Sequence, residues 1–246
     1  MVRIGMGGAC RDDAELIALA ERVARGGMPK EAEVFYEGRN RVARLKVCGR
    51  SLIIKEFGVP NPVNRYAYVT LRRSKARRRL EHAERLLEMG FATPAPVAWI
   101  EVRDWRGLGL SYYICEEVKG RDLREWRDNP EIGEVLEPLA AEMGRLHSYG
   151  VWHKDFSPGN VIYTREGNAF RFYYIDLNRM RFGVRGRDML MSNFRAIGRE
   201  EEAARLARIY AAYSPFGLSA AEAESIARRE RQAFLRKRPK ARLDGE

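Results

Sequence analysis

Apolar positions along the chain switch between helical and strand-like spacing, and the switches divide it into elements. Leu16, Ile17, Ala20, Val23 and Ala24 recur at helical intervals behind Asp12 and Asp13, either of which can cap the helix, and Gly26-Gly27 ends it. Ahead of that helix, Gly5-Met6-Gly7-Gly8 lacks a following Gly-Lys-Ser/Thr and reads as a flexible leader. From Glu33 to Phe57 the period shortens to two. Val34-Phe35-Tyr36, Val42 to Val47 and Ser51 to Phe57 predict an antiparallel three-stranded meander, with turns at Glu37–Asn40 and Cys48–Arg50.

Helical spacing returns from Arg65 to Met89, which reads as one helix, densely basic at first through Arg72, Arg73, Lys75, Arg77, Arg78 and Arg79. Two more strands follow, Val97–Val102 and Leu110–Val118, joined by a turn over Asp104–Gly109. Beyond Gly120 the pattern is mainly helical: a helix starts at Leu123–Trp126, another runs from Glu134 to Tyr149, and others cover about 199–213 and 219–236. A short hairpin interrupts them, Val161-Ile162-Tyr163 against Phe170–Ile175 across Glu166-Gly167-Asn168. His147 lies on the apolar face of its helix and reads as a core histidine, not a ligand. The basic end, Arg236-Lys237-Arg238-Pro239-Lys240, reads as frayed.

The chemistry concentrates around the hairpin. His153-Lys154-Asp155-Phe156-Ser157-Pro158-Gly159-Asn160 satisfies the H-x-D-x-x-x-x-N pattern of a phosphoryl-transfer loop, and a strand-like Tyr-Tyr-Ile run then ends in Asp176. A lone carboxylate, an amide five residues on and a second carboxylate suit a nucleotide–magnesium complex. Asp155 would orient the attacking hydroxyl and accept its proton; Asn160 and Asp176, at the two ends of the hairpin, would hold the metal. His153 braces the loop in this reading. Lys55, after Leu-Ile-Ile in the third strand, is placed to steady the nucleotide phosphates, the alternative being an edge lysine kept for solubility. Glu81 is the helical carboxylate chosen to hold Lys55, with Glu84 as the alternative. Gly38 is the one glycine of the covering turn, and Glu116 to Val118 mark the segment where backbone groups would meet adenine. These elements predict an α+β, two-lobed protein-kinase-like fold. Residues 1–30 would be a leader and helix, 31–118 the lobe of antiparallel sheet plus helix, and 119–246 the mostly helical lobe.

The same residues resemble a family. The catalytic-loop run, then Ile175-Asp176-Leu177-Asn178-Arg179-Met180-Arg181-Phe182-Gly183, with Pro62-Val63-Asn64-Arg65, Ser74–Arg78 and Leu87-Glu88-Met89-Gly90, is similar to the bacterial lipopolysaccharide-core kinases of Kdo/WaaP type. The resemblance runs over about residues 35–235. It implies ATP and Mg2+ as cofactors and a sugar hydroxyl of the lipid A–linked inner core, on Kdo or heptose, as acceptor. It also implies Asp155 as catalytic residue, Asn160 and Asp176 as metal ligands and Lys55 as phosphate lysine. The sparse glycine turn and Leu177-Asn178 in place of Phe-Gly depart from the protein-kinase pattern. Rival readings are an atypical protein Ser/Thr/Tyr kinase and a kinase-fold binding protein without catalysis. Ser157 where protein kinases carry Lys, and the absence of Ala-Pro-Glu after Asp176, weigh against the first. Retention of Lys55, Asp155, Asn160 and Asp176 together weighs against the second.

Composition narrows the surroundings. At 246 residues and 45% apolar the chain is long enough for a sizeable core, and Lys plus Arg exceed Asp plus Glu by 45 to 34, a net +11. That excess favours a polyanionic partner: nucleotide, nucleic acid or anionic membrane, against a merely solvated surface. No stacking module or zinc spacing supports nucleic acid, so none is expected. Arg72, Arg73, Arg179 and Arg181 are the candidate docking residues for an anionic glycolipid or saccharide and for a membrane face. Cys10, Cys48 and Cys115 show no paired spacing, and no run approaches a membrane span or a signal peptide. The expected location is cytoplasmic, peripheral on the inner face of the inner membrane. Nothing in the residues bears on oligomeric state.

Overall fold

The computed structural model describes residues 1–47, 49–70, 72–125 and 129–237. The chain forms two compact units, Met1–Lys119 and Gly120–Glu246. Cys48 of the second predicted turn, Trp126 of the predicted helix start and residues 238–240 of the basic end lie outside the described residues.

In the first unit β1 (Val2–Met6) leads to α1 (Ala14–Gly26), whose start is capped by Asp13 Oδ1 accepting the Leu16 N–H at 3.1 Å. β2 (Glu33–Glu37), β3 (Asn40–Val47) and β4 (Arg50–Phe57) form the predicted meander. After α2 (Pro62–Thr70) and α3 (Lys75–Glu88), β5 (Pro96–Asp104) and β6 (Gly107–Glu116) complete an antiparallel six-stranded sheet in the order β1-β5-β6-β4-β3-β2.

Alternation gives that sheet two faces with different coverings. Leu52, Ile54, Ala98, Ile100, Tyr112 and Ile114 pack with Leu16, Leu19, Ala20 and Val23 of α1. On the opposite face Ile53, Phe57, Trp99, Tyr113 and Cys115 pack with Ala76 and Leu80 of α3. Lys55 lies between Ile53 and Phe57 and so shares the α3 face.

Two expectations are corrected here. The Gly-rich start is not a flexible leader: Val2 to Met6 pair with Val102 to Ala98 as the sheet's edge strand. Its glycine disguises it while making it fit, because a Cβ on Gly5 would come 2.2 Å from the Trp99 indole nitrogen. The long basic helix is likewise two helices. Ser74 ends the first path and caps α3, its hydroxyl accepting the Arg77 N–H at 3.1 Å. The predicted docking run is therefore split, and part of it is internal. Arg79 is only 6% exposed and lies over the Phe57 and Tyr113 rings, while Arg77 stacks on Trp99.

The second unit opens with β7 (Arg121–Asp122) and a 3-10 turn over Leu123–Glu125 where a helix start was expected. α4 (Ile132–Ser148) ends in a Schellman motif: Gly150 N–H donates to His147 O and Val151 N–H to Leu146 O, both at 2.9 Å, with Gly150 left-handed at φ 65°. A Cβ there would strike the Val184 carbonyl at 2.7 Å, so the turn into the next segment requires glycine. β8 (Trp152–His153) then pairs with β11 (Met180–Arg181), enclosing the hairpin β9 (Val161–Glu166) and β10 (Ala169–Tyr174). α5 (Arg187–Met191), α6 (Glu200–Tyr210) and α7 (Ala220–Lys237) finish the unit, with α6 packed between α4 and α7.

His147 is the core histidine expected. Its Nε2–H donates to Asn193 Oδ1 at 3.1 Å, which leaves Nδ1 to accept the Tyr210 hydroxyl at 2.7 Å. Burial lowers its pKa to about 4. The unfolded chain, with an ordinary histidine near 6.5, binds the proton more readily, so stability falls as pH drops from about 6.5 towards about 4. The full effect is at most roughly 3 kcal/mol. Urea melts across that range should show the loss, and His147→Gln, which does not titrate, should flatten it; an unchanged slope would refute the assignment.

Candidate active site

The site's loop is built by backbone hydrogen bonds around Asp155. The Asp155 carbonyl accepts the Ser157 N–H and the Asn160 side-chain amide, both at 2.8 Å, and Asn160 N–H donates to Ser157 O at 2.9 Å. Because its amide NH2 is turned onto the loop, Asn160 presents its Oδ1 on the other side. The Ile175 peptide is gripped from both directions: its N–H donates to Asn160 O at 3.0 Å and its carbonyl accepts His153 Nε2 at 2.9 Å. Asp176, the next residue, is thereby held beside Asn160.

Asp176 has φ 60° and ψ 49°, the one non-glycine residue with positive φ among those described. Such a backbone costs about 1–2 kcal/mol and is kept where surrounding bonds over-determine it. Asn178 Nδ2 donates to Asp176 Oδ1 at 3.2 Å and helps aim the carboxylate.

His153 braces this arrangement. It is 2% exposed, and its backbone carbonyl accepts Asn193 Nδ2 at 2.6 Å, so Asn193 links the loop to His147. Burial pushes the His153 pKa down, against the opposing pull of the Ile175 carbonyl and of the Asp155 and Asp176 carboxylates. Both carboxylates therefore lie close enough to be felt by the ring. With its Nε2–H committed to the Ile175 carbonyl, the ring orients the loop.

Cations crowd the same place. Arg179 donates to Asp155 Oδ1 at 3.1 Å. Arg195 donates to the Lys154 carbonyl at 2.7 Å and stacks on Trp152, as Arg181 also does. Trp152 is itself fixed by its indole N–H on Ser192 Oγ at 2.9 Å. The Lys154 pKa is lowered, first by loss of solvent and then by Arg179 and Arg195. Arg195, Trp152 and Asn193 were missed in the sequence. Arg195 lies about forty positions beyond the loop in a 3-10 stretch, and only the packing of that stretch under β8 brings it here.

The remaining predicted residues lie in the first unit. Lys55 sits mid-strand on β4, opposite Val42 of β3 and Tyr113 of β6. Glu81 is paired with two arginines. Its Oε2 accepts Arg73 at 2.7 Å and its Oε1 accepts Arg77 at 2.9 Å. It sits beside the Ala76–Leu80 line that meets the sheet. Glu84 continues that line one turn on, and its charge acts on Tyr113, the cross-strand partner of Lys55. Arg72 is exposed ahead of α3. Gly38 makes the β2–β3 turn, its N–H donating to Asn40 O at 3.1 Å. At the end of β6 the N–H groups of Glu116 and Glu117 donate to Ala95 O and Ser51 O, at 2.9 and 2.8 Å, so sheet pairing already uses them. Val118 follows directly.

This arrangement can be set beside known proteins. The model of the lipopolysaccharide kinase (Kdo/WaaP) family matches residues 38–236. Among curated proteins, the chain is 29% identical over 72 residues to a probable serine/threonine-protein kinase, PknB, of Corynebacterium glutamicum. That match takes 27% of this chain and spans only 11% of the other protein's length. Among solved structures it is similar to WaaP in complex with acyl carrier protein, with a TM-score of 0.58 and 20% identity, covering 94% of this chain and 99% of that one. It is also similar to an aminoglycoside-3'-phosphotransferase of type VIII, with a TM-score of 0.52 and 18% identity over 89% of this chain and 99% of that one. At these identities the structures speak for the fold, which is α+β and protein-kinase-like.

Proposed function

The chain belongs to the lipopolysaccharide kinase (Kdo/WaaP) family, a family of phosphotransferases with hydroxyl acceptors, and from that premise we propose that it moves the γ-phosphate of ATP to a sugar hydroxyl. The acceptor is a Kdo or heptose of the lipopolysaccharide inner core. The observation that carries this reading is the Asp155, Asn160 and Asp176 cluster set among Lys154, Arg179, Arg181 and Arg195.

Asn160 and Asp176 offer an amide and a carboxylate oxygen, hard donors of the kind Mg2+ takes, and would hold the ion. Bound there, the metal would neutralise charge on the phosphates. Asp155 orients the acceptor hydroxyl and receives its proton as the new phosphate ester forms. Lys55 steadies the donor's phosphates, and Glu84 replaces Glu81 as the carboxylate that holds Lys55. Adenine meets the backbone at Val118, since the neighbouring N–H groups serve the sheet. An acceptor with an acidic group next to its hydroxyl would draw Arg179 off Asp155 and leave the carboxylate facing the hydroxyl. Arg181 and Arg195, held over Trp152, would bind further anionic groups of a glycolipid.

The test is incubation with labelled ATP and Mg2+ against core saccharides, lipid A precursors carrying Kdo, and protein extracts. Label on the saccharide arm is the expected result. Label on protein alone would replace this reading by an atypical protein kinase, and ATP binding without transfer in any arm would leave a kinase-fold binding protein. Anionic vesicles provide a separate arm: charge reversal at Arg181 and Arg195 should weaken attachment if the same face meets the membrane.

A further inference from the structure

The segment before α1 touches the nucleotide half of the site at one defined point. Gly8 N–H donates to Glu84 Oε1 at 2.7 Å. The segment is tied to the sheet: Gly7 N–H donates to Val97 O at 2.8 Å, Cys10 N–H to Gly7 O at 2.9 Å, and the Cys10 side chain is buried with α1 against the sheet. A Cβ on Gly7 would come 2.2 Å from the Pro96 carbonyl, so this close approach depends on glycine. Glu84 in turn follows Ala76 and Leu80, which pack on Phe57, Tyr113 and Cys115, the face that carries Lys55.

We propose that the Gly8 backbone N–H is a positioning group for phosphoryl transfer: it fixes one oxygen of Glu84 so that the carboxylate is aimed across the sheet face towards Lys55. Residues 2–10 are then part of the nucleotide site although they bind no substrate. The proposal rests on Glu84 being the carboxylate that steadies Lys55. A carboxylate on a long, rotamer-rich side chain loses affinity for its partner when it must be ordered at each encounter, and a backbone donor removes that loss in advance.

Proline at position 8 removes this N–H and sets its Cδ where the bond to Glu84 Oε1 now lies, so it both unties and displaces the carboxylate. Gly8 opens a 3-10 turn, the position that tolerates proline, and Gly7 at φ −64° and ψ 148° has the extended conformation a residue before proline needs. A Cβ at Gly8 would meet only Glu84 Oε1, at an ordinary 3.5 Å. Gly8→Pro is therefore expected to raise the ATP KM, and the Kd from calorimetric titration, about tenfold, with a smaller change in kcat and little change in melting temperature. Gly8→Ala retains the N–H and should restore the KM that proline loses. Glu84→Gln should raise KM at least as far, and Gly8→Pro added to it should do no further harm. Should Gly8→Pro not accumulate as folded protein, Gly7→Ala, which pushes the segment off Pro96, should give the same KM rise. A wild-type KM and Kd in Gly8→Pro beside an impaired Glu84→Gln would overturn the positioning role alone. An unimpaired Glu84→Gln would remove the assignment of Glu84 and this proposal with it.

Discussion

Asp155→Asn is expected to lower kcat by roughly a hundredfold to ten-thousandfold while leaving the Kd for MgATP within about threefold of wild type. The separation follows from how the residue is held. Its backbone carbonyl, not its side chain, ties the loop together by accepting from Ser157 and Asn160. The isosteric amide therefore leaves Asn160, and with it the proposed metal site, in place. What disappears is the carboxylate proposed to take the acceptor's proton, together with its ion pair to Arg179. Because the amide also ceases to attract Arg179, acceptor KM should change little or fall. Single-turnover transfer from labelled ATP, set beside a nucleotide titration, reads both quantities. Parallel losses in turnover and in nucleotide binding would mean that Asp155 serves the donor, and the assignment of the base would fail.

The parts of the fold legible in sequence were those whose period is repeated often enough to outweigh exceptions. α1, the β2–β4 meander, the β9–β10 hairpin and α4 are of this kind, and the H-x-D-x-x-x-x-N loop is local enough to be read whole. β1 escaped because a five-residue edge strand with glycine where Trp99 crosses it carries too little alternation. The single basic helix was an error of another sort. Helix propensity is nearly continuous through Arg72–Arg79, and one serine cap, Ser74, decides where the chain restarts. Glu81 and Glu84 differ by less than a turn, so spacing ranks them equally, and the proposal of Glu84 draws on the packing of Ala76 and Leu80 against the sheet. Arg195 had no local signal at all. Its meaning comes from Trp152, an aromatic surface offered at a distance by the topology of β8.

Asp176→Asn should strike at the donor, and its interpretation depends on the backbone beneath it. The left-handed conformation at φ 60° is one that asparagine tolerates and alanine does not, so alanine would mix strain with loss of a ligand. Asparagine keeps an oxygen that can accept from Asn178 Nδ2, and the Ile175 peptide still anchors the position through Asn160 and His153. The substitution then removes one negative charge while the backbone and the Asn178 contact stay in place. In the presence of Mg2+ the Kd for ATP should rise by about a hundredfold, close to 2.7 kcal/mol, because a full charge opposite a divalent ion has gone. With the metal chelated, wild type and variant should bind ATP nearly alike, since the carboxylate then only repels the phosphates. Melting temperature without nucleotide should stay within about 2 °C, as no packing is altered. A loss of affinity that is the same with and without Mg2+ would show that Asp176 acts on the loop and not on an ion, and the two-ligand site assigned to Asn160 and Asp176 would have to be abandoned.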